Sequence, residues 1–371
     1  MRTLVVSDLH LGRAEGSDLL RRADLRAPLL EALAGVDRFV ILGDGLELRE
    51  AAHRDAMDIA APFFADVGEA LGPEKELLML AGNHDHGIAA GWIDARLQSE
   101  PSGFLTLEQR FQPDATGPLG RRLAEAARPA QLQFAYPGIW LRDDVYAIHG
   151  HYSDVHATVP TFERLAAGSM ARYVARLPER GATADDYEAV LSPLYAWLHA
   201  LTQRADNTVV AAGGSASAGT YAKLTAKDRH KRRQTLALAL GYRAAVFGLN
   251  RAGLGPLEAS LTPSALRRGY LRGIREVIER LDIRAAHVIW GHSHRSGPWP
   301  SDDQSEWVAG TGARILNTGS WVYQPHFLSP EPNGSPYWPG TAVIVEDTGP
   351  PRLVRLLGER GHETLRPRDR A

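Results

Sequence analysis

Aspartate, asparagine and histidine side chains recur in this sequence directly after short apolar runs. The first such turn holds Asp8 and His10, two residues apart, after the apolar run Thr3 to Val6. If the extended geometry continues, both side chains point the same way and can reach one cation with a carboxylate oxygen and an imidazole nitrogen. An Asp-x-His pair alone is more often an ordinary surface feature, so the remaining turns decide the interpretation.

Four later turns carry the same residue types after apolar runs. They hold Asp44, then Asn83 and His84, then His149 and His151, and finally His292 and His294. Any one of these histidines would be explained by a hydrogen bond at a strand end. That explanation fails for two His-x-His pairs that each end an apolar run in a chain with only 14 His. The set predicts a metal site with nitrogen and oxygen ligands.

The elements that position these turns alternate between strands and helices. Apolar runs at 39–42 and 77–81 follow amphipathic stretches at 17–34 and about 50–71, as expected of βα units. Such alternation implies a mostly parallel sheet, and parallel strands collect their ligands at their carboxyl ends. We therefore expect the polar turns to be neighbours in space.

Further β-rich runs complete the predicted core. Residues 132–136, 139–141 and 145–148 read as a meander of three strands separated by Pro137-Gly138 and Asp143-Asp144. Downstream runs at 286–290, 314–321, 341–346 and 352–357 supply the remaining strands. The charged tail over 359–371 is expected to be loose.

Five motifs in this order resemble the calcineurin-like metallophosphoesterase family. They read Asp-x-His, Gly-Asp-x-x-Glu, Gly-Asn-His-Asp, His-Gly-His and Gly-His-x-His, and they span residues 8 to 294. The resemblance implies an α/β fold, a four-layer αββα sandwich with an inserted helical cap. It also implies an enzyme that hydrolyses a phosphoester or pyrophosphate bond, through attack of a metal-bridging hydroxide in a dinuclear site.

The resemblance assigns roles to residues of this chain. One metal would be held by Asp8, His10 and His294, and the second by Asn83, His149 and His292, with Asp44 bridging both. His84 would touch the substrate phosphate, oriented by Asp85, and the two are the predicted catalytic residues. His149 rather than His151 is the predicted ligand, because it is nearer the strand, which leaves His151 beside the ligands. Arg295 either reaches a substrate phosphate or is a solvated loop arginine.

The ligand types restrict the cation without selecting it. The chain has no Cys, so thiolate ligands and disulfides are excluded. Mixed nitrogen and oxygen ligation suits Mn, Fe, Zn or Co, and we predict two Mn(II) ions. The second motif closes with Glu47 where many family members have Asp, a mild departure that leaves Asp44 intact.

The interval 155–285 lies between the last two histidine motifs and reads as helical. We predict it as an inserted cap on a core formed by residues 1–154 and 286–358. The interval holds 19 Lys and Arg against 11 Asp and Glu, whereas the whole chain has a net charge of −2. Its densest basic run is followed by apolar residues, and it comprises Lys223, Lys227, Arg229, Lys231, Arg232 and Arg233. This run indicates either peripheral contact with anionic lipid or a solvated basic face.

Several functions remain open at this stage. The first is a generic phosphoesterase, with a phosphorylated small molecule as substrate. The alternative is a lipid-linked or nucleotide-sugar pyrophosphohydrolase of the UDP-diacylglucosamine type, whose family branch also has a helical insertion. A nuclease is disfavoured because the basic cap has few interleaved aromatics, and a non-catalytic scaffold is disfavoured because no ligand is lost. With no signal peptide and no apolar run of about 20 residues, we expect the cytoplasm, or the inner membrane surface as the alternative.

Overall fold

The computed structural model describes residues 1–50, 53–99, 103–202, 232–260 and 262–367, and they divide into two compact units. Unit 1 comprises Met1–His151, His199–Ala205 and Arg284–Ala371. Unit 2 comprises Tyr152–Leu198 and Asp206–Ile283. His199–Ala205 thus groups with unit 1, although it lies inside the insertion predicted over residues 155–285.

Short apolar strands form the sheet structure of unit 1. They are β1 Thr3–Val6, β2 Arg38–Leu42, β3 Glu76–Leu80, β4 Glu108–Phe111, β5 Gln131–Arg142, β6 Val145–Ile148, β7 His287–Trp290, β8 Arg314–Asn317, β9 Thr341–Val345 and β10 Arg352–Arg355. They are hydrogen-bonded in the order β10-β9-β1-β2-β3-β5-β6-β7-β8, and β4 also pairs with β5. β1, β2, β3 and the first half of β5 run parallel. The described part of the chain confirms the predicted α/β class.

β5 is one strand where the sequence predicts two. Its residues Gln131–Ala135 pair in parallel with β3, and Gly138–Arg142 pair antiparallel with β6. Pro137 and Gly138 lie where β5 passes from one partner strand to the other, so the pairing changes there while the strand continues. The predicted break in the meander at Pro137-Gly138 is therefore wrong.

The buried core contains side chains from both halves of this strand order. Val5, Val40 and Leu78 belong to one buried cluster with Ile139, Ala147 and Ile289, and all six have no measurable exposure. Burying a side chain of this size stabilises the fold by about 1.5–3 kcal/mol. The cluster holds the strand ends in fixed positions, which matters because the polar turns begin there.

Helices connect the strands of unit 1 and form most of unit 2. They are α1 Ala23–Leu33, α2 His53–Leu71, α3 Gly87–Gln98, α4 Gly117–Ala126, α5 Phe162–Tyr173, α6 Ala184–Thr202, α7 Arg232–Arg251, α8 Pro263–Arg280 and α9 His362–Leu365. Side-chain caps start two of the helices of unit 2, because Thr161 Oγ1 accepts from the N–H of Arg164 and Thr262 Oγ1 from that of Ala265. Among the described helices, none is long and apolar enough to cross a membrane.

The chain end departs from the predicted loose tail. Residues up to 367 are described, α9 forms there, and Leu365 is fully buried. The Arg22 guanidinium donates to the carbonyl of Thr364 at 2.6 Å, and the hydroxyl of Tyr323 lies 2.9 Å from His362 Nδ1. A buried leucine and these hydrogen bonds fix a segment whose charged composition alone indicates mobility.

Candidate metal centre

The polar turns adopt a backbone conformation that side-chain-bearing residues seldom adopt. Left-handed φ angles between 46° and 65° occur at Asp8, His10, Asp44, His292 and His294. Such a conformation costs of order 1–3 kcal/mol per residue and persists only where the surrounding structure enforces it. All five residues come within four positions of the carboxyl end of β1, β2 or β7. These left-handed turns place the five side chains together at one edge of the sheet.

Asp8, His10 and His294 form the first cluster of candidate ligands. Their ligating atoms all lie within 4.8 Å of one another. His294 Nε2 is 3.3 Å from Asp8 Oδ1 and 3.0 Å from His10 Nε2. Asp8 is fully buried, and within the described part of the chain its Oδ1 accepts no hydrogen bond. A buried carboxylate oxygen facing two imidazole nitrogens is a donor set that fits a divalent cation.

A second cluster contains Asp44, whose carboxylate also approaches His10 of the first cluster. Asp44, His149 and His292 also bring their ligating atoms within 4.8 Å of one another. Asn83 Oδ1 lies 3.2 Å from His149 Nε2 and 3.0 Å from His292 Nδ1. Asp44 Oδ2 lies 3.2 Å from His149 Nε2 and 3.7 Å from His10 Nε2 in the first cluster. The carboxylate of Asp44 thus stands between the two clusters.

The electrostatics of the second cluster favour positive charge, whereas burial and the neighbouring His84 lower the pKa of His10 in the first cluster to about 4. Burial alone would raise the pKa of Asp44, but the imidazoles of His149 and His84 hold it well below its usual range. Burial would lower the pKa of His149, yet the carboxylates of Asp44 and Asp8 raise it to about 10. A site that stabilises a proton so strongly would stabilise a cation in the same place. The residues present therefore fit two bound divalent metals.

His149 rather than His151 faces the second cluster. The imidazole of His149 donates from Nδ1 to the carbonyl of Leu42 at 2.9 Å, which leaves Nε2 toward Asp44 and Asn83. His151 is also buried, but its Nε2 lies 3.2 Å from the hydroxyl of Tyr136. A backbone carbonyl on one imidazole nitrogen fixes the tautomer that binds a metal through the other. His149 therefore stays the predicted ligand, with its Nε2 toward the second cluster.

His84 contacts Glu47, whereas the sequence predicts that Asp85 orients it. His84 Nδ1 lies 2.9 Å from Glu47 Oε1, and the other carboxylate oxygen of Glu47 lies 3.0 Å from His10 Nδ1. Burial would lower the pKa of His84, but the charges of Glu47 and Asp44 raise it. Glu47 therefore holds one candidate ligand and the predicted catalytic histidine together.

Asp85 instead fixes the backbone of two ligand turns. Its carboxylate accepts hydrogen bonds from the N–H groups of Gly82 at 2.7 Å, Leu46 at 3.1 Å and Asp44 at 3.3 Å. Burial and the charge of Asp44 raise the pKa of Asp85 to about 6. This corrects the predicted contact with the His84 side chain, because the carboxylate is turned toward main-chain donors. Asp85 is a positioning residue in this structure.

Arg295 matches neither of its predicted alternatives. It is 7% exposed, so it is not a solvated loop arginine. Its two terminal nitrogens pair with Asp302, Nη2 at 2.5 Å from Oδ1 and Nη1 at 3.2 Å from Oδ2. The guanidinium also lies 5.4 Å from the ring centre of Trp307. Because Asp302 occupies the guanidinium fork, Arg295 is a structural residue here rather than a phosphate contact.

Further residues contact the candidate ligands or their neighbours, and the sequence analysis gives them no role in the metal centre. The hydroxyl of Ser7 donates to Asp8 Oδ2 and lies 2.5 Å from the hydroxyl of Thr318. Gln324 Oε1 lies 3.3 Å from His294 Nδ1. Glu47 was visible as the last residue of the second motif, but nothing in the sequence marks Ser7 or Gln324, since the contact of Gln324 with His294 spans 30 positions.

Replacing Glu47 by Gln should weaken metal binding by His10 and proton binding by His84, the two residues next to its carboxylate. The amide keeps the shape of the side chain but lacks the charge that orients His10 and supports a proton on His84. Partners of this kind typically contribute roughly 10- to 100-fold in metal affinity or activity, and we expect a loss in that range. Titration of the metal-free protein with Mn²⁺ measures it, with the exposed Glu359→Gln as the matched control. An affinity equal to that of the control would contradict the role given to Glu47.

One family model matches most of the chain, and solved structures show a weaker similarity. The family model described as calcineurin-like phosphoesterase matches residues 1–248. Among solved structures, the chain is similar to a dimetal phosphatase from Danio rerio, with 12% sequence identity over 96% of this chain and 99% of that chain and a TM-score of 0.31. No curated protein matches the chain.

Proposed function

The chain belongs to the calcineurin-like phosphoesterase family and is a metal-dependent phosphoester hydrolase, and we propose that it acts on small phosphorylated molecules at the two clusters that meet at Asp44. Asp8, His10 and His294 would hold one cation. Asn83, His149 and His292 would hold the other.

The observation that carries this proposal is the position of the Asp44 carboxylate. Its Oδ2 is within 3.7 Å of an imidazole nitrogen from each cluster. Two divalent cations held side by side repel each other, and a shared carboxylate offsets that repulsion. When bound, such a pair would supply Lewis acidity, which would lower the pKa of a nearby water and offset the charge of a phosphate. Because the other ligands are mostly neutral imidazoles and an amide, the centre stays positive toward a phosphate.

His84 is the residue we assign to the leaving group. Its backbone N–H donates to Asp44 Oδ1 at 2.8 Å, and its Nδ1 is held by Glu47, so Nε2 is the nitrogen that can face a substrate. The carboxylates of Glu47 and Asp44 raise the pKa of His84, which favours the protonated form of the ring. A positioned imidazolium can donate that proton to a departing oxygen or neutralise charge on the phosphoryl group.

The finer alternatives for substrate and location rest on the sequence. The basic run that motivates a lipid-linked substrate includes Lys223 to Lys231, which lie outside the described residues, and the side chains of Arg232 and Arg233 are likewise outside them. The lipid-linked and nucleotide-sugar substrates, peripheral membrane contact and the cytoplasmic location therefore stay predictions. Mn(II) is the cation we propose.

A metal-dependent substrate screen tests the proposed function. Purified protein is treated with a chelator, reloaded with Mn²⁺, Fe²⁺, Zn²⁺ or Co²⁺, and assayed on phosphomonoesters, phosphodiesters and nucleotide-sugar pyrophosphates. We expect hydrolysis of a small phosphomonoester that the chelator abolishes and Mn²⁺ restores best. Turnover that persists in the metal-free protein, or turnover confined to pyrophosphates, would contradict the proposal.

A further inference from the structure

Unit 2 contains a cavity of about 600 Å³ whose charged lining is almost all positive. The cavity lies between the C-terminal half of α5, the turn after α7 and the end of α8. Its charged lining residues are Arg164, Arg172, Arg176, Arg280 and Glu179, and His156 also lines it. None of the candidate metal ligands takes part, so this cavity is separate from the metal centre.

Arg164 lies in the wall of the cavity, and one nitrogen of its guanidinium is unpaired among the described residues. It is 3% exposed, and its Nε donates to the carbonyl of Ala157 while Nη2 donates to that of Leu254 at 3.1 Å. Nη1 is buried and has no hydrogen-bond partner among the residues that the structure describes. A buried, unpaired donor on a charged group costs free energy unless a ligand or water satisfies it.

Glycines make room for the guanidinium groups. A Cβ added at Gly168 would lie 2.2 Å from Arg164 Nη1, and one added at Gly253 would lie 2.6 Å from Arg172 Cζ. Both glycines line the cavity. Because any side chain there would displace a guanidinium, the two arginines occupy places that the backbone leaves open for them.

The charge around the cavity exceeds what the protein itself neutralises. The four arginines face Glu179 in the lining, and Glu276 pairs with Arg280 at 3.1 Å. This leaves an excess of two positive charges, which Asp154 and Arg272, the other charges acting on Arg164, do not change. Burial together with Arg280, Arg164 and Arg272 lowers the pKa of His156 to about 3, so this histidine stays neutral. The cavity is therefore electropositive on more than one wall.

We propose that this cavity in unit 2 is a second anion site that binds the phosphoryl group of a phosphate monoester. Guanidinium forks match the geometry of phosphate oxygens. A phosphate monoester carries nearly two negative charges near neutral pH, equal to the excess charge, whereas a carboxylate carries one. Apolar lining from Val155, Ala171, Tyr173, Leu177 and Leu254 leaves space for the group esterified to the phosphate.

Hydrogen exchange on the full-length, Mn-loaded protein tests the site with inorganic phosphate as the probe. We expect phosphate to slow amide exchange over residues 162–177 in the parent protein. The double variant Arg172→Gln/Arg176→Gln changes two exposed side chains, so it should fold and should bind phosphate at this site about tenfold or more weakly. The charge-matched control is Arg243→Gln/Arg251→Gln, which changes two exposed arginines on α7 that do not line the cavity.

Two further comparisons separate this site from the metal centre. In Asp44→Asn the protection of residues 162–177 should persist, and the double arginine variant should keep the activity of the parent protein on an aryl phosphate. Vesicles containing phosphatidic acid, against vesicles of phosphatidylcholine alone, distinguish a lipid phosphate from a soluble one. Absence of protection in the parent with both phosphate and phosphatidic acid would overturn the proposal. So would equal protection in the parent and the double arginine variant, or equal protection by chloride at the same ionic strength.

Discussion

Asp44→Asn should abolish tight metal binding and phosphoester hydrolysis together. The carboxylate stands between two clusters of ligating atoms, and an amide of the same shape cannot offset the repulsion between two divalent cations. Loss of an interaction worth several kcal/mol corresponds to roughly a 10³-fold fall in kcat/KM. Metal content after gel filtration and initial rates on an aryl phosphate measure the two losses on one preparation.

The control for this variant is Asp143→Asn, which changes an exposed aspartate in the turn between β5 and β6. It should keep the metal content and turnover of the parent. Full metal occupancy with normal turnover in Asp44→Asn would show that Asp44 does not join the clusters.

His84→Gln should keep both metals but reduce kcat by roughly 10²- to 10⁴-fold on an unactivated phosphomonoester. Glutamine has no acidic proton to transfer, whereas Glu47 and Asp44 stabilise one on the imidazole of His84. The loss should be much smaller on p-nitrophenyl phosphate, because its leaving group needs little protonation. Comparing kcat on the two esters, together with metal analysis, separates proton donation from metal binding.

The exposed His326→Gln is the matched control for His84→Gln. An alternative for His84 exists in the structure, since its ligating nitrogen lies within 4.8 Å of a ring nitrogen of His10 and a carboxylate oxygen of Asp44. Loss of a metal in His84→Gln, with equal losses of kcat on both esters, would make His84 a ligand rather than a proton donor.

The location of the metal centre was predictable because it depends on local sequence and on one topological rule. Each polar turn follows a short buried run, and parallel strands place their carboxyl ends at one edge. Asp8, Asp44 and His292 meet there although nearly 300 positions separate the first from the last. The strand order therefore explains why the turns meet, whereas the division of their residues between two cations came from the family resemblance.

The sequence did not predict which side chains of different turns contact one another. Glu47 and Asp85 are both buried acids next to His84, and only the fold determines that Glu47 reaches the imidazole while Asp85 turns to main-chain N–H groups. Arg295 likewise follows the last ligand pair directly but pairs with Asp302. Which partner a charged group takes depends on the packing of elements that are distant in sequence.

The charge pattern of the sequence likewise did not predict the cavity of unit 2. The basic run noticed in the sequence lies around residue 230, whereas the arginines that converge on the cavity are spread from Arg164 to Arg280. A count of charges over 155–285 indicates a cationic unit but does not tell which guanidinium groups meet. The glycines that admit them are recognisable only from the distances to Gly168 and Gly253.

Anomalous diffraction from crystals grown with Mn²⁺ tests the dinuclear centre most directly. The account predicts two anomalous peaks, one coordinated by Asp8, His10 and His294 and the other by Asn83, His149 and His292. Both peaks should contact the carboxylate of Asp44. A single peak, or two peaks of which one is not coordinated by Asp44, would contradict the account.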